Sequence, residues 1–190
     1  MNYLNMKQVM TILLAFILFA GTAFAGEKGK DGINWMTWDE VQVAMKKQPK
    51  KVWVDVYTDW CGWCKVMDRK TFSNPDVIKY MNEHFYAVKF NAESKEDVMF
   101  MGKKYSFAPE HNANELAAKL MNGQMSYPTF VFMEENFLNH SPIPGYQPVP
   151  QMELILKYLA EGKYKTVKFD EYSKNFQPTW KEGEQAPVKS

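Results

Sequence analysis

Cysteine is nearly absent from this chain: of 190 residues only Cys61 and Cys64 carry a thiol. So small a number excludes a disulfide-stapled scaffold and a zinc site built from two cysteine pairs. The three histidines, His84, His111 and His140, stand apart and supply no second half to a metal site, so no metal is expected. Haem attachment needs Cys-x-x-Cys-His, and position 65 is lysine. Charge of one sign is lacking too, with 23 basic against 22 acidic residues. No Lys/Arg cluster offers a footprint to a polyanion, so nucleic acid is not an expected partner. Past residue 25 there is no apolar run of the roughly 20 residues that a membrane helix requires. Internal repeats and low-complexity stretches are missing as well.

What is present begins with a leader. Lys7 is followed by an apolar run from Val9 to Ala20, and Ala23-Phe24-Ala25 closes the stretch with small residues around a larger one. At about 12 residues the run is too short to span a bilayer. It has the pattern of a secretory signal peptide over 1–25, cleaved after Ala25. Export places two thiols in an oxidising compartment, where stray cysteines are a hazard. A staple closing so short a loop would also remove little chain entropy. The pair is better explained by reactivity than by stability.

The remaining residues alternate strand and helix. A charged, glycine-rich lead-in over 26–36 contains a possible edge strand at 33–35. Thr37 and Glu40 have capping-box spacing and open a helix to about 47 that buries Trp38, Val41 and Met45. The β-branched and aromatic run 51–57 predicts a buried strand. Helices follow at 64–71 and, after Asn74-Pro75, at 76–83, then a strand at 85–91. Further helices are predicted at 94–105 and 114–121, the second ended by Asn122-Gly123. A strand at 129–133 turns toward a partner near 137–140, Pro142 to Gly145 reads as a rigid loop, and a helix covers 151–161. One α/β domain over 37–162 results, with a C-terminal extension, 163–190, that carries a short helix near 170–176. Thirteen methionines are scattered and fit gap-filling in a core.

The cysteines come between a strand and a helix, and that placement has a chemical logic. A sulfur at a helix start meets unpaired backbone N–H groups and the positive end of the dipole, which favour the thiolate. Cys61 there would be an accessible nucleophile toward a disulfide, and Cys64, one turn on, could resolve the mixed disulfide.

Four separated features then resemble the thioredoxin superfamily: Trp60-Cys61-Gly62-Trp63-Cys64-Lys65; Asp55 in the strand before; Lys89 in Val88-Lys89-Phe90-Asn91; and Tyr127-Pro128-Thr129. Gly145 falls where that family has a glycine before its last helix. The likeness covers about 37–162. Within the family it is similar to exported proteins with a Cys-Gly-Trp-Cys site. Trp63 replaces the usual proline, and the segment before Pro128 is longer by about a helix. The resemblance implies a central mixed β-sheet flanked by helices, with a helical insert before a cis-proline loop. It implies exchange with protein thiols and disulfides through a Cys61–Cys64 disulfide, with no dissociable cofactor. The redox partner it implies is a membrane thiol transporter.

Role by role, Cys61 is the expected nucleophile and Cys64 the resolving thiol. Asp55, in an apolar strand, should have a raised pKa and could exchange the Cys64 proton. The other reading of Asp55 is a solvent-facing residue on an alternating strand. Lys89 would tune Asp55. Pro128 would be cis and leave the Tyr127 backbone open to an extended substrate. Trp60, Gly62, Trp63 and Tyr127 would frame the groove, whereas Trp53 reads as core and Lys65 as solvated. Reductase, oxidase and isomerase share these parts. An alternative from another class is an adaptor or chaperone that binds clients with little turnover.

Overall fold

The structure, a computed structural model, describes residues 32–183. The expected signal peptide and most of the lead-in lie outside the described residues. The main sheet has five strands: β1 (Trp35–Met36), β2 (Lys51–Tyr57), β3 (Phe85–Asn91), β8 (Thr129–Met133) and β9 (Ser141–Pro144). Their order across the sheet is β1-β3-β2-β8-β9. β1 and β2 flank β3 in parallel, while β8 and β9 run antiparallel to their neighbours.

Helices lie on both faces because β2 and β8 are apolar on both faces. All five inner residues of β2, and all five of β8, are buried. Val52, Val54 and Val56 point into a core shared with α1 (Trp38–Lys47) and α4 (Glu115–Leu120). Trp53 points to the other core, with α2 (Gly62–Lys70), α3 (Pro75–His84) and α5 (Val149–Ala160), and stacks on Phe130 at 5.3 Å. By the two-residue period of a strand, Asp55 shares the Trp53 face, under the helix that carries the cysteines. The helix starts are chemically marked. Thr37 and Glu40 form the predicted capping box on α1, and Asn74 caps α3 ahead of Pro75.

Three expectations need correction. The stretch 94–105 is not helical: β4 (Val98–Phe100) and β5 (Lys103–Tyr105) form a hairpin. Met101 (φ 51°) and Gly102 (φ 76°) make a two-residue turn with both residues left-handed, the geometry that matches strand twist. A second hairpin joins β6 (Phe107–Ala108) to β7 (Ala113–Asn114) through a 3-10 turn at Pro109–His111, so the insert over 92–127 holds two hairpins and one short α-helix, α4. The strand partner of β8 is β9 at 141–144, not 137–140, because Asn136, Phe137 and Asn139 are left-handed and break the extended chain. Pro142 and Pro144 are tolerated there because β9 is an edge strand. The edge strand expected at 33–35 lies at Trp35–Met36.

The extension packs back on the domain. Tyr158 donates its hydroxyl to Val167 O at 2.7 Å, ahead of α6 (Phe169–Asn175). Beyond that helix the fully buried carboxylate of Glu153 accepts from Thr179 N, Thr179 Oγ1 and Trp180 N, each at 2.7 Å, and from Lys157 Nζ at 2.6 Å. No helix among the described residues is long and apolar enough to cross a membrane.

Candidate active site

The site forms where β2 ends and α2 begins. After Tyr57 the chain makes a tight turn in which Cys61 N donates to Thr58 O at 3.1 Å. Cys61 is the N-cap of α2, and its Sγ accepts the Cys64 amide at 3.0 Å. The sulfur therefore occupies the place usually taken by a Ser or Asp oxygen, against the amides that a helix start leaves unpaired. Cys61 and Cys64 are joined in a disulfide. The openness expected of Cys61 is not found in this disulfide form, where the residue is 3 % exposed and Cys64 6 %. Trp60 and Trp63 beside them are 66 % and 61 % exposed.

Asp55 is buried, which removes the solvent-facing reading. Its partner across the parallel β2–β3 pair is Lys89, in register, with Nζ 3.5 Å from Oδ2. Lys89 also contacts Asp68, with its ammonium over the rings of Trp35 and Tyr57. Asp55 Oδ1 has no hydrogen-bond partner. Burial pushes the Asp55 carboxyl up to about 7; Lys89 pulls it down and Asp68 pushes it further up. A carboxyl titrating there can hold or release a proton at neutral pH.

The opposite wall is the loop before β8. The Tyr127–Pro128 bond is cis. Thr129 Oγ1 donates to Ser126 O at 2.8 Å, and Gly145 N donates to Pro128 O at 2.8 Å, which ties the loop to the chain beyond β9. Gly145 adopts φ 92°, a conformation that favours glycine. The Trp60 ring meets Tyr127 edge-on at 5.8 Å, and Trp63 lies 5.4 Å from Tyr146. Gly62 is the first residue of α2, with open space around it. Lys65 is exposed and Trp53 fully buried. The structure thus joins Cys61 to Cys64, sets the Trp60 ring against Tyr127 next to Pro128, and pairs Asp55 with Lys89 on the strand that leads into the cysteines.

Two contributors were not singled out from the sequence: Tyr146, and Glu93, whose Oε2 accepts from Trp60 Nε1 at 3.0 Å. Glu93 follows the carboxyl end of β3 by two residues. In an α/β sheet the carboxyl ends of parallel strands are where sites form, and that position was its available signal.

Comparison with known proteins agrees with this geometry. The sequence model of the thioredoxin-like domain family matches residues 38–160. An uncharacterised Caenorhabditis elegans protein is 33 % identical over 67 residues, 35 % of this chain and 9 % of that protein. Thiol:disulfide interchange protein DsbD of Pectobacterium atrosepticum is 37 % identical over 43 residues, 23 % of this chain and 8 % of that protein. The matched stretches span less than a tenth of the length of these relatives. A thioredoxin-fold protein from Helicobacter pylori superposes with a TM-score of 0.52 at 21 % identity, covering 66 % of this chain and 78 % of that one.

Proposed function

The chain belongs to the thioredoxin-like domain family, and on that footing we propose that it is an exported thiol–disulfide oxidoreductase that reduces disulfides of protein substrates. The observation that carries the reading is the Cys61 sulfur at the N-cap of α2, accepting the Cys64 amide. In the reduced protein the same position favours the Cys61 thiolate.

The reaction runs in two exchanges. The Cys61 thiolate attacks one sulfur of a client disulfide; a Cys61–client bond forms, the client S–S bond breaks, and one client thiolate leaves and takes up a proton. Asp55 then accepts the Cys64 proton, and the Cys64 thiolate attacks the Cys61 sulfur. The Cys61–Cys64 disulfide forms and the second client sulfur departs as a thiolate, which takes the proton held by Asp55. The client gains two electrons and two protons; the protein thiols give up the electrons and Cys64 one proton, and solvent supplies the other. Trp60, Trp63 and Tyr127 hold the client's extended chain, with the Pro128 loop beside it. Lys89 sets the carboxyl range of Asp55.

Reduction leaves the protein oxidised, so a dithiol donor must recharge it. A membrane thiol transporter fits that need, and the partial likeness to a thiol:disulfide interchange protein supports it. The leader pattern over 1–25 supports export.

Insulin reduction with dithiothreitol tests the class: wild type accelerates it and Cys61→Ser does not. Equal activity in that variant removes the enzyme reading and leaves the client-binding adaptor. The reduction potential tests the direction. A value near about −270 mV marks a reductant and one near about −120 mV an oxidant.

A further inference from the structure

Apart from Tyr127 at its end, the insert between β3 and β8 has no part in the exchange proposed above, yet its second hairpin also reaches the site. The tip of the β6–β7 hairpin, residues 109–112, is exposed. At its end Asn112 adopts φ 46°. Its side-chain amide donates to Glu93 Oε1 at 2.8 Å, while the other carboxylate oxygen of Glu93 accepts from the Trp60 indole at 3.0 Å. The base of the hairpin is fixed to the end of β3, since Asn114 N donates to Ala92 O at 2.7 Å. One carboxylate, with both oxygens engaged, thus links the hairpin tip to the aromatic wall. The Trp60 ring is largely exposed, and an exposed side chain loses rotamer freedom only where partners hold it.

We propose that the 109–112 tip is a client-recognition element, with Asn112 a positioning residue that, through Glu93, sets the Trp60 ring against the incoming chain. This rests on the exchange with protein disulfides proposed above. The partner is an extended polypeptide segment flanking the client disulfide. It runs past Trp60 onto the tip, so a disulfide of only a few atoms is too short to sense the hairpin.

The left-handed backbone at Asn112 makes a clean test possible. Asn112→Gly suits φ 46° and removes the amide alone. It is expected to raise KM for a protein disulfide about three- to tenfold with kcat within about twofold, the effect of one lost charge-assisted hydrogen bond. Asn112→Asp, which sets a like charge against Glu93, raises KM further. Adding Glu93→Gln to Asn112→Asp restores the chain of bonds with the donor reversed: the new glutamine amide donates to the new carboxylate at the tip, and the glutamine oxygen accepts from Trp60. The KM of that double variant returns toward wild type. The Trp60 indole N–H resonance, assigned with Trp60→Phe, moves in Asn112→Gly and returns in the double variant. An unmoved resonance, or an active wild type whose protein KM does not respond to Asn112→Gly, overturns the proposal. A wild type inert toward every protein disulfide instead overturns the oxidoreductase reading, and the recognition role falls with it.

Discussion

Asp55 and Lys89 face each other in register across two parallel strands, yet the ammonium is shared: it lies 3.5 Å from one Asp55 oxygen, contacts Asp68, and sits over three aromatic rings. The attraction left for Asp55 does not offset its burial, so its carboxyl titrates at about 7. A carboxyl in that range can take up a proton from a neighbouring acid and return it near neutral pH.

A stability consequence follows from linkage. The carboxyl has a folded value of about 7 against an ordinary 3.8. Between these values the folded state holds a proton that the unfolded state has released. Stability is therefore fully present below about pH 4 and falls as pH rises toward 7. Asp55→Asn, similar in shape and always neutral, should match wild type near pH 4 and exceed it at pH 8 by on the order of 4 kcal/mol. Urea denaturation of the disulfide form at the two pH values measures this. A pH-independent difference would mean that the carboxylate finds a partner when it ionises.

Lys89→Met removes the one attraction that lowers the Asp55 carboxyl, and so moves its titration above 7. The pH midpoint of the resolving step, followed by the decay of a Cys61 mixed disulfide in single turnover, should shift in the alkaline direction. A midpoint that stays in place would show that Asp55 does not take the Cys64 proton.

Legibility in the sequence followed the range of the interactions. Thr37, Asn74-Pro75 and the β-branched runs at 51–57 and 129–133 act locally, and each element formed where its residues pointed. The placement of Cys61 and Cys64 at a strand-to-helix junction was legible for the same reason, whereas the cis bond at Pro128 came from the family resemblance and from no local pattern. The segment 94–105 misled because Val98, Met99 and Phe100 suit a helix as well as a strand, and only a buried face for Phe100 and Tyr105 decides between them. Glu93 was silent because its partners, Trp60 and Asn112, are 33 and 19 residues away. No local pattern encodes such a contact.

The C-terminal extension depends on one carboxylate. Burial raises the Glu153 carboxyl, but Lys157 and the Thr179 and Trp180 donors outweigh it and hold it below the usual range. Its contribution to stability is present above about 4.5, the ordinary value, and is lost as pH falls through the folded one. Glu153→Ala leaves these donors without their acceptor and should cost about 2–4 kcal/mol. Hydrogen exchange at Thr179 and Trp180 reads the release directly, since their amides are the donors. Unchanged protection of both amides would show that packing of Trp180 on Tyr80, at 5.4 Å, holds the tail without the clasp.

The hairpin at 98–105 makes a prediction whose sign separates it from the helix that the sequence suggested. In a helix interior, Gly102→Ala would stabilise by about 1 kcal/mol, because alanine loses less backbone freedom on folding. In the hairpin, Gly102 has φ 76° and no atom within 4 Å of where a Cβ would stand, so a side chain meets no neighbour and only the left-handed backbone resists it. That conformation costs an L-residue about 1–2 kcal/mol, with asparagine affected least. Gly102→Ala and Gly102→Val should therefore destabilise, while Gly102→Asn stays near wild type. The turn cannot simply relax, because Gln42 grips both sides of it: its amide donates to Met99 O at 2.9 Å, and its carbonyl accepts from Met101 N at 2.8 Å. Thermal denaturation of the three variants decides the matter, and a stabilised Gly102→Ala protein would return the segment to a helix.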